Sequence, residues 1–128
     1  MFAKNRTRMR RCRAEETGFP AGAFAAVTSM SVIEHEVDTA AFFQEAARML
    51  RPGGILFLST DFWSEPMVAL TGDRVFGPEE VDRLVREAIA VDLQPLCRPE
   101  LEVGSPVIEE NGLRYTFLTL AFERVESL

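Results

Sequence analysis

Two apolar segments separated by one amphipathic helix constrain the fold of this chain more than any other feature. Residues 24–30 and 55–59 are continuous and apolar, which is typical of strands buried on both faces of a parallel sheet. Between them, residues 39–51 repeat apolar side chains on one helical face, and Pro52 stops the helix. The pattern predicts a βαβ unit, in which a right-handed crossover joins two parallel strands.

The second half of the chain predicts another helix and a final strand. Pro78 is a favoured first helical residue, and apolar side chains follow it at helical spacing. A short strand is predicted near 92–97, and the Asn-Gly pair at 111–112 predicts a tight turn before a strand at 113–122. Residues 61–75 show no regular pattern. The alternation of strands and helices predicts an α/β domain.

Positive charge is concentrated at the start of the chain. The net charge is −6, but residues 1–14 contribute +6, which leaves −12 for the remainder. The basic side chains of this segment are Lys4, Arg6, Arg8, Arg10, Arg11 and Arg13. We predict a disordered basic arm at 1–18 and a folded domain at 19–128. The acidic body argues against nucleic-acid binding by the folded part, whereas the arm is a tail, an organellar transit segment, or a site for nucleic acid or anionic lipid.

Two further patterns bear on location. No apolar stretch follows the basic N-terminus, and no apolar run approaches the roughly 18 residues that a membrane span needs. Cys12 and Cys97 are not spaced as metal ligands. We therefore predict a cytoplasmic protein with free thiols and no membrane contact.

Three short segments occur in an order found in a known family. The sequence reads F-A-A-V-T-S-M-S-V-I-E-H at 24–35, L-R-P-G-G at 50–54 and I-L-F-L-S-T at 55–60. A helix start F-G-P-E-E at 76–80 and a last strand after a turn extend the match over about residues 16–125. The chain resembles class I S-adenosylmethionine-dependent methyltransferases of the ubiquinone-biosynthesis type. The resemblance implies a partial Rossmann-like sheet with strands in the order 4-5-7-6 and an antiparallel last strand.

The half of that family's domain that holds the cofactor has no counterpart in this sequence. Family members bind S-adenosylmethionine through a Gly-rich turn resembling E/D-x-G-x-G after strand one, and no such turn occurs here. The 18 residues before Phe19 are too few for three strands and their helices. We therefore expect a truncated methyltransferase domain that is inactive alone and binds the cofactor weakly or not at all.

The resemblance also predicts an open sheet edge. In the family, strand one pairs with the strand that corresponds to residues 24–30, so this strand is expected to have a bare apolar edge. Bare edges recruit further strands or aggregate. The isolated chain is therefore expected to aggregate, to form a homodimer, or to dock on a partner chain.

Candidate cofactor residues follow from the same resemblance. The family's cofactor lies across the carboxyl ends of strands one and four, which places Ser29, Met30 and Ser31 beside its methionine or ribose part. Phe19 matches a family position near the adenine face. Alternatively, Met30 is a core residue and the two serines only end a strand.

His35 is the only histidine and the candidate catalytic residue. As a general base it suits deprotonation of an acceptor hydroxyl or amine before methyl transfer. Alternatively, it hydrogen-bonds backbone at a helix entry. Some relatives hold a divalent metal with Glu-x-x-Glu-His, but Ser31 replaces the first glutamate here. Glu34 and His35 alone are too few ligands, so no metal site is predicted.

Asp61 and Trp63 follow the second strand, where the family builds part of its substrate pocket. Trp63 either stacks on an aromatic acceptor or covers the sheet edge. The leading hypothesis is methyl transfer from S-adenosylmethionine to oxygen, nitrogen or carbon of a small molecule. The alternative is a non-catalytic interaction module that binds a partner through the strand edge. A third, weaker idea is a nucleic-acid-associated protein that acts through the arm.

Overall fold

A computed structural model of the chain describes residues 7–69, 71–110 and 112–126. Lys4 and Arg6 of the predicted arm lie outside the described residues, and so does Asn111 of the predicted turn. The elements in chain order are β1 (Phe24–Met30), α1 (Thr39–Met49), β2 (Leu50–Phe62), β3 (Met67–Val68), β4 (Arg74–Val75), α2 (Pro78–Ile89), β5 (Leu93–Pro95), β6 (Ile108–Glu110) and β7 (Leu113–Arg124).

The predicted strand-helix-strand unit is confirmed. β1 and β2 are parallel neighbours, with Val27 opposite Leu56. Helix α1 connects them and begins after Asp38, whose Oδ1 accepts a hydrogen bond from the Ala41 N–H at 3.1 Å. This bond satisfies one of the free N–H groups at the start of the helix, which is the usual role of an aspartate N-cap.

Strand β2 begins at Leu50, earlier than the apolar segment predicts. The reason lies at Gly53, which has a φ of +81°, and at Gly54. A Cβ on Gly54 would lie 3.1 Å from the Ala25 carbonyl oxygen and 2.8 Å from the Arg51 carbonyl oxygen. Because glycine has no side chain, the backbones of β1 and β2 can approach each other at Gly54. The two strands therefore begin to pair before the apolar residues 55–59.

The main sheet has the order β1-β2-β7-β5, and β6 is added alongside β7. This path agrees with the order that the resemblance implies, and β7 runs antiparallel to β2. The structure differs from the prediction in having a fifth strand. It also has a separate ribbon of β3 and β4 within residues 61–75, which were predicted to be irregular. Strands of two residues are too short to leave an alternating pattern, which explains the error.

The core lies where α1 and α2 meet the central strands. Phe43 of α1 is fully buried, and its ring meets Phe122 of β7 edge-on with 5.7 Å between ring centroids. Other fully buried side chains are Ile33, Leu50, Leu56, Leu58, Phe62, Phe76, Val81, Leu84 and Leu93. Among the described residues, neither helix is long and apolar enough to cross a membrane.

Strand β1 is less buried than its apolar sequence predicts. Ala25 and Ala26 are exposed, and Met30 is 56% exposed. The physical reason is that β1 is an edge strand of the sheet. It pairs with β2 on one side, and no strand in the described part of the chain pairs with it on the other side. The prediction of a strand buried on both faces is therefore wrong for β1, whereas the open edge expected from the resemblance is present in these residues.

Contacts cross the predicted boundary between the arm and the domain. The N–H and Oγ1 of Thr17 donate to Glu45 Oε2 of α1 at 2.7 and 2.6 Å. Arg10 Nη1 donates to the Thr17 carbonyl oxygen at 3.1 Å. The described part of the arm thus contacts helix α1, and the division at residue 18 stays a prediction.

Candidate functional site

An open groove of about 400 Å³ runs along the free edge of β1. It lies between β1, the α1 side chain Phe42 and the N-terminal segment that includes Thr17. Its lining is mostly apolar. Three of the four predicted cofactor residues, Phe19, Ser29 and Met30, line this groove together.

Ser29 lines the groove and carries a buried polar group that is unsatisfied. The residue is 6% exposed, and its Oγ has no hydrogen-bond partner among the described residues. A buried polar group without a partner costs about 1–3 kcal/mol, so the Ser29 hydroxyl destabilises this chain as it stands. Met30 beside it is 56% exposed, which excludes the alternative that Met30 is a core residue.

Phe19 forms one side of the groove in a fixed orientation. Its ring meets Phe24 edge-on, with 5.3 Å between centroids and an interplanar angle of 88°. The Arg10 guanidinium lies 4.6 Å from the centroid of the same ring, within cation–π distance. These two contacts hold the aromatic face of Phe19 in place beside β1.

A hollow of about 260 Å³ adjoins the groove and shares Ala14 and Val32 with it. Ser31 and His35 line this hollow. Ser31 has a φ of 54°, and its N–H donates to the Ser59 carbonyl oxygen at 3.1 Å. After β1, the backbone therefore adopts the left-handed conformation at Ser31, which is hydrogen-bonded to β2. His35 consequently lies beside the end of the groove.

The imidazole of His35 is paired with an aspartate. The side chain is 55% exposed, and Nδ1 lies 2.7 Å from Asp73 Oδ1. The hydrogen bond to Asp73 is the main reason that the pKa of His35 is raised above its usual value of 6.5. Thr71 Oγ1 donates to Asp73 Oδ2 at 2.7 Å and helps to lower the pKa of that carboxyl. His35 thus has a carboxylate partner for its ring.

Two further carboxylates lie close to this pair. Glu34 is buried, accepts a hydrogen bond from Thr60 Oγ1 at 2.8 Å, and has Oε1 3.8 Å from His35 Nε2. Burial, followed by the charges of Glu34 and Asp73, raises the pKa of Asp61 to about 6. Asp61 is therefore in the same electrostatic environment as His35 and can hold a proton near neutral pH.

Trp63 packs elsewhere. Its side chain packs against a small cluster that includes Ala69, Val75 and Tyr115, and its backbone N–H donates to the Phe76 carbonyl oxygen at 3.0 Å. The structure thus brings Asp61 close to His35 and packs Trp63 in the separate cluster. Within the described ranges, no three His, Cys, Asp or Glu side chains are grouped so as to hold a metal ion.

Sequence analysis did not identify Asp73 as a site residue. Asp73 is separated from His35 by 38 positions and lies in the segment that shows no periodicity. No spacing rule connects the two residues. They meet only because the β3–β4 ribbon folds against the loop that follows β1.

Comparisons with known proteins agree with this architecture. Residues 2–58 match a family model described as a methyltransferase domain. A ubiquinone biosynthesis O-methyltransferase of Rhizobium etli is 32% identical over 109 residues, which cover 85% of this chain and 42% of that protein. The protein of the same name from Xanthomonas oryzae pv. oryzae is 43% identical over 72 residues, covering 56% of this chain and 27% of that protein. The chain therefore spans less than half the length of these relatives.

Solved structures share the fold. A geranyl diphosphate C-methyltransferase from Streptomyces coelicolor A3(2) has a TM-score of 0.66 at 20% identity and covers 91% of this chain and 52% of that chain. The [4+2]-cyclase SpnF has a TM-score of 0.68 at 17% identity, with 91% of this chain and 55% of that chain covered. The sequence matches and the shared sheet together define the class. These findings support the assignment of the chain to the class I S-adenosylmethionine-dependent methyltransferases.

Proposed function

We propose that the chain forms one side of the active site of an enzyme that transfers a methyl group from S-adenosylmethionine to a small molecule. The observation that carries this proposal is the apolar groove lined by Phe19, Ser29 and Met30, which adjoins the hollow containing His35. The relatives from Rhizobium etli and Xanthomonas oryzae are named as O-methyltransferases, which favours a hydroxyl as the methyl acceptor.

The described residues fit one wall of a cofactor site. Phe19 and Met30 offer apolar and aromatic contact, Ser29 offers a hydroxyl, and Ser31 lies at the boundary with the neighbouring hollow. The cofactor, when bound, supplies a methyl group activated by a sulfonium. The sequence contains no Gly-rich turn for the opposite wall, so we propose that this chain alone binds the cofactor weakly and is inactive.

The proposed roles of the acidic residues and the imidazole follow from their positions. His35 is exposed beside the groove, where its imidazole would accept the proton of an acceptor hydroxyl. Asp61 lies near it and binds a polar group of the acceptor, whereas Trp63, packed in the separate cluster, is given no role in acceptor binding. Methyl transfer needs mainly alignment of acceptor and methyl donor, so the absence of a protein nucleophile does not conflict with this assignment.

A titration of the chain with S-adenosylmethionine, followed by the amide NMR signals, tests the cofactor assignment. We expect shifts confined to the groove and a dissociation constant weaker than about 1 µM, or roughly −8 kcal/mol, because only one wall is present. Ser29→Ala should weaken binding several-fold and raise the free energy of unfolding by about 1 kcal/mol, because it removes an unpaired buried hydroxyl.

Ser105→Ala is the matched control, because Ser105 is exposed and does not line the groove. Ser105→Ala should change neither the dissociation constant for S-adenosylmethionine nor the free energy of unfolding. Shifts that fall outside the groove would reject the cofactor assignment. A dissociation constant at or below 1 µM would instead reject the statement that this chain alone binds weakly.

A second candidate function is a non-catalytic interaction module. The observation that favours it is the open edge of β1, where Ala25, Ala26 and Met30 are exposed and no strand of the described chain pairs. An unpaired apolar edge offers free N–H and C=O groups to another strand. We propose that this edge is covered in solution by a second copy of the chain or by a partner chain.

Sedimentation equilibrium of the isolated chain tests whether the edge of β1 mediates association. We expect association that rises with concentration, and Ala26→Lys should reduce it about tenfold or more, because a charged edge disfavours strand pairing. Ala90→Lys places the same charge at an exposed alanine after α2 and should leave association unchanged. A strictly monomeric wild-type chain across the concentration range would contradict coverage of the edge by a second copy of the chain.

We also propose a cytoplasmic location. Cys12 and Cys97 are both free and exposed. Exposed unpaired thiols persist in reducing compartments, which supports this assignment.

A further inference from the structure

Hydrogen bonds from Arg74 connect the β3–β4 ribbon to the loop that follows β1. Its N–H donates to the Glu34 carbonyl oxygen at 3.0 Å, and its Nη2 donates to the carbonyl oxygens of Val37 and Ile33 at 2.7 and 3.2 Å. Three hydrogen bonds from one residue therefore span the loop on both sides of His35. The ribbon and the imidazole consequently keep a fixed relative position.

The residue next to Arg74 is held just as firmly. Asp73 has its carbonyl oxygen bonded to the Ala69 N–H at 2.8 Å and its Oδ2 bonded to Thr71 Oγ1 at 2.7 Å. Gly72, with a φ of +90°, provides the turn between them. These contacts leave Oδ1 of Asp73 directed at His35 Nδ1, 2.7 Å away.

We infer that Asp73 is a positioning residue that keeps the proton of neutral His35 on Nδ1, so that Nε2 is the nitrogen that accepts the acceptor's proton. A carboxylate accepts but does not donate, so a bond between Asp73 Oδ1 and Nδ1 requires the proton to be on Nδ1. The lone pair of neutral imidazole is then on Nε2. This inference rests on the proposed function for its chemical meaning, but the proton's position is measurable without cofactor.

Other charged groups around the imidazole do not replace Asp73 in this role. Glu34 Oε1 is 3.8 Å from Nε2, too long for a hydrogen bond, and Asp61 interacts only through its charge. The charged residues Arg13, Glu15 and Glu36 line the hollow that contains His35, and Arg74 is occupied with backbone carbonyls. The bond to Asp73 contributes most to the raised pKa of His35 and brings Oδ1 within 2.7 Å of Nδ1, whereas a hydrogen bond with the Ser31 backbone contributes least.

NMR of the imidazole nitrogens tests the inference in the chain as it stands, because His35 is the only histidine. In the wild type we expect neutral His35 to carry its proton on Nδ1 and to titrate above 6.5. Asp73→Asn keeps the shape but removes the charge, so the pKa of His35 should fall toward its ordinary value. Asp73→Ala removes the acceptor, so neutral His35 should shift toward the form protonated on Nε2.

Asp82→Asn is the matched control, since Asp82 is an exposed acid on α2, and it should move neither signal. Neutral wild-type His35 protonated mainly on Nε2 overturns the inference, even if the Asp73 variants fail to fold. An unchanged pKa in a folded Asp73→Asn variant also overturns it. Amide shifts outside the groove on addition of S-adenosylmethionine would count against the proposed function and leave this result untouched.

Discussion

Replacing Phe43 with alanine should lower the free energy of unfolding by about 4 kcal/mol. Phe43 is fully buried and meets Phe122 edge-on at 5.7 Å and Phe42 at 5.4 Å between centroids. Alanine would remove both ring contacts and leave a cavity where α1 faces β7. Urea denaturation at pH 7, followed by circular dichroism, measures the loss.

Phe117→Ala is the matched control, because Phe117 lies on the same strand as Phe122 but is 47% exposed. It should cost less than about 1 kcal/mol. Equal losses in the two variants would show that the core is not centred between α1 and β7. The position of Phe43 also matters for function, because its neighbour Phe42 lines the groove along β1.

The βαβ unit was predictable because several independent signals coincide in it. Asp38 marks the start of α1, apolar side chains recur on one face, and Pro52 with two glycines ends the pattern. The same agreement holds at Pro78, where the structure begins α2 as predicted. Local chemistry fixes these elements, so the sequence alone is sufficient to place them.

The parts of the site that were missed depend on contacts between distant segments. Asp73 has no local signal, and it reaches His35 only after the ribbon has folded onto the loop. The exposure of β1 could not be predicted from its sequence pattern either, because an apolar segment predicts a buried strand whether or not another strand covers its edge. The assignment of Phe19 and Ser29 to a cofactor site comes from family resemblance and stays a prediction, whereas the unpaired state of the Ser29 hydroxyl is visible only in the structure.

Glu45→Gln should destabilise the protein by about 3 kcal/mol at pH 7, because Glu45 is a buried charge with several partners. It is 7% exposed and accepts hydrogen bonds from the Thr17 N–H and Oγ1. Arg48 donates to both of its oxygens at 2.6 and 2.9 Å. A neutral amide cannot accept from all of these donors. The loss would also loosen the segment around Thr17, which forms a wall of the groove.

The pH dependence of this effect identifies its cause. Hydrogen bonds from Arg48, followed by those from Thr17, lower the pKa of Glu45 from 4.5 to about 2. A carboxyl whose pKa is lower in the folded state stabilises that state above its unfolded pKa. The contribution is therefore complete above about pH 4.5 and is lost as the pH falls through about 2.

Urea denaturation of the wild type and Glu45→Gln should accordingly show a gap of about 3 kcal/mol at pH 7 that narrows toward zero near pH 2. Glu102→Gln, at an exposed glutamate, should show no gap at either pH. A difference between wild type and Glu45→Gln that persists unchanged at low pH would mean that lost packing, rather than lost charge, explains the effect. In that case the attachment of Thr17 to α1 would not depend on the ionised carboxylate.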